Sequence, residues 1–148
     1  MPADLLIARI LHIMSAIVWV GGTVFMIAVA IPFARTLPPE QRSATIAGIG
    51  RRFRPVGWTA LLTLVGSGLY TMSRFGLLSW SALTGSSYGR LLLVKLVLVL
   101  AILVLTGIHD FVLGPRAETV PRSTVLAVAR TSGFLTLSVP VIGVILAH

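Results

Sequence analysis

Two residues with reactive side chains, His12 and Lys95, lie inside apolar runs of this sequence. Lys95 is the only charged residue between Leu91 and Leu105. A charge at the centre of a membrane helix costs about 2.5 to 3.5 kcal/mol on insertion scales, so such residues usually have a function. Imidazole is also the commonest metal ligand among protein side chains. We therefore take His12 and Lys95 as the first candidates for functional residues.

The composition indicates that membrane helices carry these residues. The chain of 148 residues is 56% hydrophobic and 11% charged, with a mean hydropathy of +0.99. A helix needs about 20 apolar residues to cross a hydrocarbon core about 30 Å thick. Four runs qualify, at about 5–31, 55–73, 89–113 and 123–147. We predict an all-α integral membrane four-helix bundle that forms a single domain over 1–148.

The first run is expected to be a retained helix rather than a cleaved leader. Ala28-Val29-Ala30 resembles a cleavage site, but Asp4 and Arg9 leave the start of the chain without a basic segment. The apolar run before that site is also longer than the roughly 7–15 residues of a leader.

The arginines predict the orientation of the helices. The third connection carries Arg116 and Arg122, and the first carries Arg35, Arg42, Arg51, Arg52 and Arg54. By the positive-inside rule, these two connections face the cytoplasm and both termini face outward. The same arginines give the net charge of +8 and lie where lipid headgroups are expected. We therefore expect membrane lipids, and not nucleic acid, as partners.

The first connection is also predicted to contain a short interfacial helix between helices one and two. Pro39 is suited to the first turn of a helix. The residues from Pro39 to Arg54 then alternate apolar side chains such as Ile46 and Ile49 with arginines, as in helices that lie on a membrane surface.

His12 and Lys95 are predicted to lie at the same depth. Each follows about seven residues after the outer end of its helix, roughly 10 Å below the boundary. Helical spacing places His12, Trp19 and Met26 on one stripe of helix one, which we expect to face the interior. His109 lies roughly 20 Å further along the axis and is expected to be an interfacial cap beside Asp110.

Three groups of motifs resemble the copper-resistance protein D membrane family. They are Leu11-His12-Ile13 with Ile17-Val18-Trp19-Val20-Gly21-Gly22, Arg51-Arg52-Phe53 with Gly66-Ser67-Gly68-Leu69-Tyr70, and Tyr88-Gly89-Arg90 continuing to Lys95. The resemblance implies a helical protein of the bacterial inner membrane that takes part in copper uptake or tolerance. It also implies a periplasmic metal or electron carrier as a partner.

The sequence also resembles the related membrane-embedded bacterial protoporphyrinogen oxidases. In those proteins a helix-one histidine and a later lysine are important and haem b is associated; His12 and Lys95 match these two by position. Trp19-Val20-Gly21-Gly22 departs from the corresponding oxidase run and favours the copper-resistance branch.

The chemistry of the residues leaves copper, haem b and no cofactor as alternatives. The chain has no cysteine, which excludes thiolate metal sites. Copper would bind imidazole or thioether groups, and the candidates are His12, Met14, Met26 and His148. A cationic Lys95 would repel copper, so it would have to be neutral there or serve another purpose.

Haem b would use His12 as an axial ligand with Trp19 beside it. Lys95 or Arg90 would then pair with the propionates, or a neutral Lys95 would be the second axial ligand. Without a cofactor, the protein would be a scaffold, or Lys95 would relay protons or anions in a small transporter. Copper homeostasis, with an outer-leaflet site centred on His12, Trp19 and Lys95, is the leading prediction.

A chain of this size buries little surface within itself, so we predict a homodimer or a larger assembly. The glycines at Gly21-Gly22 or in the region of Gly66 and Gly68 would allow helices of two copies to approach closely.

Overall fold

The computed structural model describes residues 2–114 and 121–147, apart from the side chains of Arg122, Leu146 and Ala147. All regular elements in this part are helices, which confirms the all-α fold class. They are α1 (Ala3–Phe25), a π-helical turn (Met26–Ala30), α2 (Ile31–Thr36), α3 (Pro39–Arg74), α4 (Trp80–Thr84), α5 (Ser87–Gly107), a second π-helical turn (Ile108–Leu113) and α6 (Arg122–Ala147).

Among the described residues, three helical stretches are long and apolar enough to cross a membrane. They are Ala3–Thr36, Ser87–Leu113 and Ser123–Ile145. The first continues from α1 through the π-helical turn into α2, so it is five residues longer at its end than the predicted run 5–31. These stretches correspond to three of the four predicted spans.

The remaining predicted span, 55–73, forms the second half of α3. It is not among the three apolar stretches because Thr59, Thr63, Ser67 and Thr71 lower its hydropathy. The four-helix membrane bundle is therefore still a prediction.

The predicted short interfacial helix is not a separate element. Residues 39–54 continue through Pro55 into the rest of α3 without a break. A proline inside a helix lacks an N–H donor, which leaves one carbonyl, here that of Arg51, without its helical partner, and the ring crowds the same carbonyl. With 36 residues, α3 is about 54 Å long, well above the thickness of a hydrocarbon core.

The chain divides into two compact units, residues 1–75 and 76–148. In the first unit, α1 and α3 pack antiparallel, because contacting positions rise along one helix as they fall along the other: Asp4 with Tyr70, His12 with Ser67, Trp19 with Gly57, and Gly22 with Phe53. The α1 positions that contact α3 or are buried repeat at intervals of four and three, as in coiled coils: Ala8, His12, Ser15, Trp19 and Gly22.

The second unit begins at Gly76, whose φ of +67° favours glycine. Its helices α5 and α6 are also antiparallel: Thr106 Oγ1 lies 3.4 Å from Ser132 Oγ, and Lys95 lies beside Gly143. Gly89 lets the first turn of α5 approach the backbone of α4, since a Cβ there would lie 2.8 Å from the Leu83 carbonyl oxygen.

Candidate functional site

His12 is held against α3 by two consecutive residues of that helix. Its Nδ1 atom lies 3.0 Å from the hydroxyl oxygen of Ser67. A Cβ atom on Gly68 would lie 3.3 Å from His12 Cε1, so the absence of a side chain at position 68 lets the ring pack close to the α3 backbone. We refer to His12, Ser67 and Gly68 as the histidine cluster.

The hydroxyl of Ser67 is buried and bonded within its own helix. Ser67 is 8% exposed, and its Oγ donates to the carbonyl oxygen of Thr63 at 2.7 Å, with the Leu64 carbonyl oxygen at 3.1 Å. Serine and threonine side chains in helices commonly bond back to carbonyls three or four residues earlier. The helix thus fixes the position of the hydroxyl that His12 contacts.

Trp19 lies on the same face of α1 as His12, seven residues or about 10 Å along the axis. Its ring edge fits against Gly57, where a Cβ would lie 3.1 Å from Trp19 Cζ3. The indole Nε1 is buried and has no hydrogen-bond partner in the described part of the chain. This N–H is a donor that a ligand or a water molecule would satisfy.

The predicted thioether ligands do not join His12. Met14 is 54% exposed and is two positions from His12, which places it on the opposite side of α1. Met26 is fourteen residues from His12, or about 20 Å along the axis. His148, the fourth predicted metal ligand, lies outside the described residues, as does Arg116 of the third connection.

Lys95 and Arg90 lie on α5 in the second unit. Lys95 is half-buried, and its Nζ lies 3.9 Å from the position that a Cβ atom on Gly143 would occupy. Arg90 is exposed, and its guanidinium donates to Ser87 Oγ at 3.1 Å and to the Thr84 carbonyl at 3.5 Å. The arrangement joins Arg90 to the corner between α4 and α5. The common depth of His12 and Lys95 is still a prediction.

Within residues 2–114 and 121–147, no group of three or more histidine, cysteine or acidic side chains could hold a metal ion. His109 has an acidic neighbour, with Nδ1 3.0 Å from Asp110 Oδ1, but these are only two side chains.

A polar contact that the sequence reasoning missed lies at the other end of the α1–α3 interface. Tyr70 Oη donates to Asp4 Oδ2 at 2.6 Å, and Arg74 Nε lies 3.4 Å from the same oxygen. An open groove of about 520 Å³ leads from this contact to Ser67, lined by Asp4, Ile7, Ala8, Leu11, Thr63, Gly66, Ser67 and Tyr70. The spacing of Tyr70 and Arg74, one helical turn apart on the face of Ser67, was the available signal.

Comparison with protein families gives a match to the Copper resistance protein D model over residues 47–147. The chain belongs to the copper resistance protein D family. The match confirms that resemblance but not the relationship to the protoporphyrinogen oxidases, and it lends no support to haem. No curated protein and no solved structure gives a significant match to the chain.

The segment that matches the copper resistance protein D family contains two of the three residues of the histidine cluster. Ser67, Gly68, Arg90 and Lys95 lie inside the matched residues, whereas His12 and Trp19 lie before them. Together with the three apolar stretches, the match identifies the chain as a copper-resistance-like membrane protein.

Proposed function

We propose that this protein carries copper into or across a membrane and that His12 is a donor on the route. The observation that supports this most directly is the contact between His12 Nδ1 and Ser67 Oγ. It links the imidazole of α1 to a helix that lies mostly within the family-matched segment. Imidazole is a suitable ligand for copper, whereas the chain has no thiolate to compete with it.

Copper enters this proposal as cargo and not as a resident cofactor. The described residues offer single donors along the helices rather than a closed set of ligands. Conduction requires sites that bind an ion strongly enough for entry and weakly enough for release. A single fixed imidazole satisfies that requirement better than a site with three or four ligands.

Lys95 is the second residue that we include in the functional apparatus. Its position in an apolar helix carries a cost in free energy, and no acidic side chain pairs with it in the described part of the chain. If position 95 had only a structural role, leucine would fill it without the insertion cost of a charge. We therefore propose that Lys95 is retained for copper handling.

We further propose that the protein lies in a bacterial inner membrane with both termini outside. The first connection and the first half of α3 carry the exposed residues Arg35, Arg42, Arg51 and Arg52. This concentration of positive charge favours a cytoplasmic location. The length of α3 agrees with this location of the arginines. The second half of the helix is about 30 Å long, enough to cross the membrane, and the arginine-rich first half would project from it.

We also propose that the protein forms a homodimer or a larger assembly, and the structure reduces the number of glycines at which two copies would meet. Gly22 packs against Phe53 and Gly68 against His12, so both glycines are used within the chain. A Cβ on Gly21 or Gly66 would meet nothing within 4 Å. These two positions are the ones that a second copy can approach.

The copper proposal is tested in bacterial cells that lack their own copy of this gene and depend on the plasmid-borne protein. Copper content and growth in copper are measured for the wild-type protein, for His12→Ala and for the matched control His109→Ala. Since His109 is also a histidine in an apolar helix, it controls for the loss of an imidazole as such. We expect His12→Ala to behave like the empty plasmid and His109→Ala like the wild type at equal protein levels. Equal behaviour of His12→Ala and the wild type would remove His12 from the route.

A further inference from the structure

The position of the hydrogen atom on Ser67 determines which nitrogen of His12 carries a proton. We infer that Ser67 holds His12 in its Nδ1–H tautomer, so that Nε2 is the nitrogen with the lone pair and the atom that contacts a metal ion. The metal-binding part of this inference rests on the proposed function, whereas the tautomer does not.

The serine hydroxyl has a single hydrogen to donate. Ser67 Oγ lies 2.7 Å from the carbonyl oxygen of Thr63, the distance typical of an O–H···O hydrogen bond. Two oxygen atoms at that separation need a proton between them, because their lone pairs would otherwise repel. The hydroxyl hydrogen therefore points to the Thr63 carbonyl, with the Leu64 carbonyl at 3.1 Å as a weaker second acceptor.

The hydrogen bond from Ser67 to Thr63 determines the role of the His12 nitrogen that faces Ser67. With its hydrogen already used, Ser67 Oγ can only accept a hydrogen bond from the imidazole nitrogen 3.0 Å away. That nitrogen is Nδ1, which must carry a hydrogen. In a neutral imidazole the other nitrogen, Nε2, then holds the lone pair. Histidines that bind metals commonly have their other nitrogen fixed by a hydrogen bond in this way.

Gly68 supports the same arrangement through space rather than through a hydrogen bond. A Cβ on residue 68 would lie 3.3 Å from His12 Cε1 and 3.6 Å from Nδ1. The glycine thus allows the imidazole edge to reach Ser67. Ser67 and Gly68 act through His12 and are positioning residues.

The tautomer is measured directly by NMR of the protein in a lipid nanodisc with ¹⁵N-labelled histidine. The chain has three histidines, so comparison with His12→Ala assigns the His12 signals. We expect a protonated, pyrrole-type Nδ1 and an unprotonated, pyridine-type Nε2 in the wild-type protein without copper. The opposite pattern in the wild type would overturn the inference, whatever any variant does.

Variants of Ser67 test whether the hydroxyl is the cause. Ser67→Ala is expected to shift His12 toward the Nε2–H tautomer, which the neutral histidine side chain prefers in water, and Ser67→Thr is expected to restore the Nδ1–H form. Ser73→Ala is the matched control, since Ser73 Oγ also donates within α3, to the Tyr70 carbonyl at 2.7 Å. An unchanged tautomer in a folded Ser67→Ala variant would contradict the role of Ser67.

Copper binding separates this inference from the proposed function. If His12→Ala handles copper like the wild type while the wild-type protein carries the Nδ1–H tautomer, the proposed function is refuted and the inference stands. If His12→Ala loses copper handling while the wild-type protein carries the Nε2–H tautomer, the inference is refuted and the proposed function stands. If both hold, Cu(I) added to the wild type shifts the Nε2 signal of His12, and this response is weakened in Ser67→Ala.

Discussion

The phenyl ring of Phe53 occupies the space that a side chain at position 22 would need. A Cβ built on Gly22 would overlap three carbon atoms of that ring. Phe53 lies just before Pro55 on α3, and Gly22 lies one turn before the π-helical turn that follows α1. This contact therefore sets the distance between the two helices at one end of their interface, and His12 with Ser67 sets it further along.

The substitution Gly22→Ala is expected to destabilise the first unit. Alanine is favoured over glycine in a helix by about 1 kcal/mol, but forcing a methyl group into a packed interface costs about 1–3 kcal/mol. The control is Gly21→Ala, because a Cβ on Gly21 meets nothing within 4 Å. Denaturant titration in mild detergent should show a lower free energy of unfolding for Gly22→Ala and an equal or higher one for Gly21→Ala. The same result for both variants would contradict the contact with Phe53.

The hydrogen bond between Thr106 and Ser132 is expected to contribute only a little to the stability of the second unit. Their hydroxyl oxygens are 3.4 Å apart, which is long for such a bond. Hydrogen bonds between membrane helices contribute about 0.6 kcal/mol on average in double-mutant cycles. A cycle of Thr106→Ala and Ser132→Ala should give a coupling free energy of about 0.5 kcal/mol or less. The control cycle combines Thr106→Ala with Ser138→Ala. Ser138 donates to the Leu135 carbonyl of its own helix, so this cycle should give no coupling.

Much of the fold follows from the sequence because lipid imposes one strong rule. Backbone polar groups must be satisfied within the chain, so long apolar runs become helices. The apolar runs that contain His12 and Lys95 are the helices α1 and α5 for that reason. The second predicted span is not among the three membrane-competent stretches, and four hydroxyl residues lower its hydropathy.

The candidate site was less predictable than the fold. Sequence spacing placed His12 and Trp19 on one face of α1, and the structure directs both toward α3. Spacing on one helix does not give the register against another helix, however. The sequence therefore predicts Gly68 as a contact between two copies and does not predict that Ser67 and Gly68 both lie against His12. Asp4 and Tyr70 were missed for the same reason, since 66 positions separate these bonded residues.

The orientation can be tested by labelling single cysteines, because the chain has none of its own. Ser43 lies in the arginine-rich half of α3 and Ser81 lies in α4, and both are exposed. We expect a membrane-impermeant maleimide to label Ser81→Cys in intact spheroplasts and to label Ser43→Cys only after the membrane is opened. If both cysteines are labelled in intact spheroplasts, the second half of α3 does not cross the membrane. Labelling of Ser43→Cys alone would reverse the proposed orientation.

The substitution Lys95→Met is expected to impair copper handling without lowering stability. Methionine preserves the length of the side chain and removes the charge, whose insertion cost of about 2.5 to 3.5 kcal/mol then disappears. Cells with this variant should lose the copper phenotype, while the free energy of unfolding is equal to or above the wild-type value. Val97→Met, at an exposed position of the same helix, is the control. Wild-type copper handling by Lys95→Met would show that the lysine is not part of the apparatus.

The open space beside Gly66 allows the proposed assembly to be tested at one position. Gly66 lies in the groove with Ala8 and Thr63, where small side chains leave room for a helix of a second copy. Gly66→Leu fills that room, so we expect light scattering in mild detergent to show a fall in mass from dimer toward monomer. Gly48→Leu is the control, because a Cβ there also meets nothing within 4 Å but lies in the arginine-rich half of α3. A wild-type protein that is already monomeric would refute the assembly, and a dimer that survives Gly66→Leu would exclude this groove as its contact.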